Sequence, residues 1–218
     1  MVTNERLIIV GSGGMGRDAL WFAREGIVEF DIIGMLDDDP ATHGTLSADC
    51  PVLGGIDEWP RHNASLVVAI GSPRIRRQIV SRIEAAGRAR WATVIHRSVQ
   101  HSPYVKWGQG TIIGAGTTLT TQVQVGNHAI INTGCRLAHD VVMGDFTTLA
   151  PNVALSGAVK LEDGAEVGTG ACLRQGIVVG RGGMVGMGGV ALNDIAPNTL
   201  AMGVPARPRR SISSFDMD

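Results

Sequence analysis

The chain has 218 residues, of which 44% are hydrophobic and 18% charged, enough to build a core and to divide into two domains. A formal net charge of −1 gives no sign of a basic face for nucleic acid, and no apolar run reaches transmembrane length. Cys50, Cys135 and Cys172 carry neither disulfide nor zinc spacing, so no metal is expected. The stretch before Leu7 lacks a signal-peptide pattern, and a cytoplasmic protein is expected.

In chain order, Leu7–Val10 is a short apolar run ended by glycine, the profile of a buried parallel strand. Gly11-Ser12-Gly13-Gly14-Met15-Gly16 follows, and then a helical pattern through Ala19, Leu20, Phe22 and Ala23. A strand, a glycine turn and a helix start suit an anion, because free backbone N–H groups and the helix dipole converge there. A tight connection without any ligand uses the same residues. Ile32–Leu36 reads as a second strand ending at Asp37-Asp38-Asp39. An acid about 20 residues beyond G-x-G-x-x-G suits a ribose, as in nicotinamide-dinucleotide sites; a solvated loop explains it equally well.

Cys50–Gly55 and Trp59-Pro60 look irregular. Leu66–Ile70, ended by Gly71, predicts a third strand, Ile75–Ala86 an amphipathic helix, and Trp91–Ile95 a fourth strand. This amounts to half of a dinucleotide-binding fold. Residues from His96 to Gly110 lead into the next unit.

From Ile113 the chain repeats every six residues: Ile113, Leu119, Val125, Ile131, Leu137, Met143, Leu149, Leu155, Leu161, Val167, Leu173, Val179 and Val185. A small or β-branched residue falls four places after each, as at Thr117, Val123, Ala129 and Cys135. Gly often follows the large residue, as at Gly114, Gly126, Gly144 and Gly168, where it is expected to relieve a corner backbone angle. A period of six fits neither helix nor simple alternating strand. It fits a β-solenoid of stacked short strands.

On the outward positions, His139-Asp140 stands out among Asn, Thr, Gln and Gly. An imidazole next to a carboxylate has a fixed tautomer and raised basicity, so it suits general-base work. A plain surface histidine is the alternative. His128, without an acidic neighbour, has a similar setting and no motif behind it.

The repeat resembles the left-handed parallel β-helix of hexapeptide acyltransferases, in which three hexapeptides make one triangular coil. Ile9-Val10-Gly11-Ser12-Gly13-Gly14, Met35-Leu36-Asp37-Asp38, Val68-Ala69-Ile70-Gly71, Ile131-Asn132-Thr133, His139-Asp140 and Gly203-Val204-Pro205-Ala206 extend the likeness over nearly the whole chain. This layout is similar to the bacterial nucleotide-sugar acetyltransferases of the PglD and NeuD types and to the GDP-perosamine N-acetyltransferases. The resemblance implies a half-Rossmann-like α/β domain at 1–95 that holds the nucleotide-linked sugar. It implies a left-handed β-helix with an exit segment at 96–210 that transfers the acyl group, and a mobile tail at 211–218.

By that resemblance, substrate contacts fall on Gly13, Gly14, Met15, Asp37, Asp38, Gly71 and Asn132. The base is His139, supported by Asp140, with the Gly157 N–H at the oxyanion. Acetyl-CoA, the cosubstrate, lies near Thr148, Thr169 and Met187 in a groove between the subunits of a homotrimer. Met15 and Thr148 depart from the pattern, since many members have His at both places. The expected reaction is N-acetylation of a nucleotide-linked amino sugar. Sugar O-acetylation, a nicotinamide-binding protein and a non-catalytic scaffold are the alternatives. A carbonic anhydrase on the same solenoid is disfavoured, because only His128 and His139 fall within the repeats.

Overall fold

A computed structural model describes residues 5–216. The N-terminal unit is built on β1 (Glu5–Val10), whose last four residues are wholly buried. Parallel β2 (Phe30–Leu36) and β5 (Ser65–Val68) flank it. Two further strands, β3 (Leu46–Ser47) and β4 (Cys50–Gly54), complete a sheet of order β3-β4-β2-β1-β5. β4 replaces the irregular stretch expected there. Cys50 and Val52 point into the core while Pro51 points out, an alternation masked in the sequence by one proline and two glycines.

Helix α1 (Gly14–Arg24) buries Ala19, Leu20, Phe22 and Ala23, and α2 (Pro73–Ala86) buries Val80 and Ile83. Gly16 is required where α1 starts, because any Cβ there would collide with the Gly11 carbonyl.

Past the sheet, strand pairs recur with an offset of eighteen residues: Leu119 pairs Leu137, which pairs Leu155, which pairs Leu173. Three hexapeptides therefore make one coil, and the three ladders form the faces of a left-handed parallel β-helix. All thirteen repeat positions from Ile113 to Val185 are buried along its axis, where they form one continuous apolar core.

The coil begins earlier than the repeat suggested. Of the expected fourth strand Trp91–Ile95, Trp91 forms a parallel bridge to Leu66 of β5, whereas Val94–Ile95 pairs with Ile112–Ile113 of the solenoid. Gln100–His101 and Lys106–Trp107 form the next two rungs. At this open end the inward positions are His101 and Trp107, packed edge to face at 5.1 Å, so the aliphatic signal is lost.

The corners correct the expected role of glycine. Gly114, Gly126, Gly144 and Gly168 have no positive φ. Instead a Cβ on them would meet the backbone of the adjacent coil, at 2.6 Å for Gly126 against Gly144 and 2.5 Å for Gly168 against Met187. The left-handed residues form a different six-residue series that includes Gly134, Asp140, Phe146, Asn152 and Gly164.

Three columns of corner residues follow. Thr121, His139 and Gly157 stack on the first, Asn127, Asp145, Asp163 and Arg181 on the second, and Thr133, Pro151, Thr169 and Met187 on the third. The face between the second and third corners is covered by the N-terminal unit, where Phe22 and Ala19 pack on Ile112 and Ile130. The face between the third and first corners carries a six-stranded ladder with Thr118, Arg136, Ala154 and Cys172 pointing outward.

After the last coil, Thr199–Gly203 and Ala206–Ser211 form an antiparallel hairpin. Residues 211–216, expected to be mobile, are docked. Phe215 is buried with the guanidinium groups of Arg77 and Arg181 5.0 and 5.1 Å from its ring centre. Its N–H donates to Asn198 at 2.9 Å and its carbonyl accepts from Arg77 at 2.6 Å. One aromatic residue shared by a cation from α2 and a cation from the solenoid thus ties the two together. The remainder of the expected tail, Met217 and Asp218, lies outside the described residues.

Candidate active site

His139 sits on the first corner with its side chain 53% exposed, its ring turned away from the apolar axis. Asp140 occupies the left-handed position of that corner at φ 61, a conformation that Asp tolerates better than most residues. The turn brings the Asp140 carboxylate to 2.8 Å from His139 Nδ1. A ring donating Nδ1–H to a carboxylate presents an unprotonated Nε2 to solvent. That edge lies over Gly157, one coil along, where an added Cβ would be 2.6 Å from Nε2 and 2.5 Å from Cε1.

Next to this pair a groove of about 350 Å³ runs over the face between the third and first corners. Thr118, Thr120, Arg136, Ala138, Ala154 and Ser156 are among its lining. His139 and Gly157 border one side of this face. Thr169 and Met187 stack on the corner at the other side, and Met187 is exposed to solvent.

Gly13, Gly14 and Gly71 lie at the C-terminal ends of the adjacent strands β1 and β5, where the strand order reverses. Ligands of open α/β sheets bind at such switch points. A Cβ at any of the three would meet nothing within 4 Å, so their backbone faces open space. Met15, on the first turn of α1, reaches the third corner. Its Sδ is 3.9 Å from Asn132 Nδ2, and Asn132 Oδ1 accepts from the Thr133 N–H at 2.7 Å.

Asp37 turns inward under the glycine turn. Its Oδ2 accepts from both the backbone N–H and the hydroxyl of Ser12 at 2.7 Å, and its Oδ1 accepts from the Asp39 N–H at 3.0 Å. Partial burial pushes its pKa up, yet the donors outweigh this and hold it below the usual carboxylate range. Asp38 is held by both Arg82 Nη atoms at 2.9 and 3.0 Å, which lowers its pKa. Both acids therefore brace the loop after β2.

Thr148, expected beside the cosubstrate, lies instead in the seam between the two units. Its buried hydroxyl bonds Gly71 O and Arg76 Nη2, each at 2.9 Å. Thr148 follows Ile112 and Ile130 along the face of the prism that the N-terminal unit covers, and the sequence had no means of showing which face that would be. Arg76, unremarked in the sequence, is wholly buried beside Thr148. Its place in a helix rich in arginine hid it.

His128 is likewise in the seam, stacked on Phe146 at 5.2 Å and packed edge to face on Trp91 at 4.7 Å. Its Nδ1 finds no partner among the described residues. Burial, helped by the Arg76 charge, pushes its pKa down to about 4 from 6.5. The folded state thus holds a neutral ring. This contribution to stability is complete above about pH 6.5 and is lost as pH falls from there towards 4, by up to roughly 3 kcal/mol. Denaturant titrations across that window should show a smaller acid-side decline for His128→Asn, whose side chain accepts the same left-handed backbone.

Comparison with known proteins agrees with this layout. Residues 6–83 match the PglD N-terminal domain family. GDP-perosamine N-acetyltransferase of Escherichia coli O157:H7 is 31% identical over 102 residues, covering 47% of this chain and 46% of that protein. The match thus spans about half the length of that curated relative. Among solved structures, PerB from Caulobacter crescentus in complex with CoA and GDP-perosamine is 32% identical, with a TM-score of 0.84 over 94% of this chain and 97% of that one. Two further structures of the Caulobacter enzyme carry substitutions at one histidine. The acetyltransferase domain of PglB from Neisseria gonorrhoeae in complex with acetyl coenzyme A is 29% identical, with a TM-score of 0.85 over 94% of this chain and all of that one. On the strength of this near full-length likeness, the chain belongs to the PglD-type family of nucleotide-sugar acetyltransferases.

Proposed function

We propose that the protein transfers an acetyl group from acetyl-CoA to the amino group of a nucleotide-linked amino sugar. The observation that carries this is the His139–Asp140 pair, set at the edge of a groove and backed by Gly157. His139 Nε2 takes the proton as the amine attacks the thioester carbonyl. Asp140 holds the tautomer and stabilises the imidazolium that forms. The Gly157 N–H donates to the developing oxyanion. The thiolate of CoA leaves, so no covalent enzyme intermediate is needed.

Residues 1–95 hold the nucleotide sugar in this reading, and 96–210 carry the transfer. The open backbone of Gly13, Gly14 and Gly71 faces the nucleotide side, and Met15 with Asn132 faces the sugar. Thr169 and Met187 flank the pantetheine arm.

The layout also favours a homotrimer. Within one chain Met15 and Asn132 lie by the third corner and His139 by the first. The six residue steps from Thr133 to His139 span up to about 20 Å. A neighbouring copy that lays its first corner against the third corner of this one brings base and sugar together, and three such heterologous contacts close a ring. Both substrates are cytoplasmic metabolites, which suits a cytoplasmic enzyme.

The test supplies acetyl-CoA with GDP-, UDP- and dTDP-linked 3- and 4-amino sugars and follows thiol release and product mass. An alkali-stable amide product is expected. An alkali-labile ester would move the acceptor to oxygen, and absence of turnover across the panel would remove the assignment.

A further inference from the structure

Arg76 stands in the first turn of α2 with its whole side chain buried. Buried arginines are ordinarily paired with a carboxylate; this one is surrounded by carbonyl oxygens. Nη1 donates to Ile70 O at 2.5 Å and Gly71 O at 3.1 Å. Nε donates to His128 O at 2.8 Å, and Nη2 to Phe146 O at 2.7 Å, Thr147 O at 3.1 Å and Thr148 Oγ1 at 2.9 Å. One end of the fork therefore grips the loop after β5 and the other grips the solenoid.

Thr148 closes the same circuit from the solenoid side, because its hydroxyl accepts from Arg76 and donates to Gly71 O. Gly71 O thus receives one hydrogen bond from each unit. Glu166 acts on Arg76 only through space, and burial pushes its own pKa up. Apolar contacts of the Phe22–Ile112 kind already hold the two units together. A desolvated cation without a bonded counter-charge is a costly addition if adhesion is all it supplies. What it adds is geometry, since a planar fork fixes the carbonyls it binds in position and direction.

We propose that Arg76 and Thr148 are positioning residues for the nucleotide sugar: they lock the Ile70–Gly71 backbone against the coil, and so set where the nucleotide lies relative to the acyl-transfer corners. This rests on the reading that the Gly71 loop faces the nucleotide, and it moves Thr148 from the cosubstrate side of the reaction to the acceptor side.

Thr148→Val keeps the shape and removes the hydroxyl, and Thr148→Ser returns it. Calorimetry on the intact protein with GDP, UDP and dTDP, and separately with CoA, reads the two sides apart. The expected result is a Kd raised about fivefold for the nucleotide that the wild type binds, as for one hydrogen bond lost at a buried carbonyl. The CoA Kd should stay within about twofold, and Thr148→Ser should recover the nucleotide affinity. Equal nucleotide binding by the Val variant overturns the proposal. So does weakened CoA binding alone, which returns Thr148 to the cosubstrate, or equal loss of both, which marks general damage. A wild type that binds CoA but none of the three nucleotides sinks the functional reading itself and this proposal with it.

Discussion

His139→Ala lowers the rate of acetyl transfer by roughly 10² to 10⁴-fold, the usual worth of a positioned general base. The side chain is half exposed, and among the described residues its side-chain partner at bonding distance is Asp140, at 2.8 Å. Its removal therefore opens no core cavity, and the thermal midpoint should move little. The groove over Thr118, Arg136 and Ala154 is untouched, so CoA affinity should be kept. Steady-state turnover, a melting curve and CoA calorimetry on one preparation make the check. Full turnover in the alanine variant would remove His139 from the chemistry and leave the groove without a base.

Gly157→Ala should lower kcat by about 10²-fold, because a reacting group displaced by an ångström can cost that much. Gly157 has no positive φ, so alanine suits the backbone. The three atoms nearest the new methyl all belong to the imidazole, with Nε2 at 2.6 Å and Cε1 at 2.5 Å. The ring must swing from the Asp140 carboxylate or the coil must shift, and either change misaligns Nε2. A crystal structure of the variant beside its kinetics would separate the two. Unchanged kcat with the ring in place would show that Nε2 does not work at this distance from the Gly157 backbone.

Much of the solenoid was legible in the sequence because its core is one-dimensional. Each coil contacts only its neighbours, so the same requirement for an aliphatic side chain returns every six residues. The signal failed at the open end, where His101 and Trp107 cap the axis and solvent removes the requirement. The glycines after the large residues were visible but misread. They are small because the next coil lies against them, a contact eighteen residues away that no local pattern expresses. β4 was missed for a related reason, since the residues that make Val52 a core position lie on β2.

The His139–Asp140 pair could be picked out because its two members are adjacent in the chain and the corner turns one towards the other. Thr148, Arg76 and His128 could not be placed in this way. Their surroundings are set by which face of the prism the N-terminal unit covers, and that depends on Phe22 and Ala19 meeting Ile112 and Ile130 across more than 80 residues of chain. Periodicity and neighbouring residues therefore determined the stacked coil and the exposed imidazole with its carboxylate. Docking between the two units decided the rest: a hydroxyl turned from groove to seam, a histidine neutralised by burial, and an arginine caged by carbonyls. These are long-range contacts, made only when both surfaces are already folded.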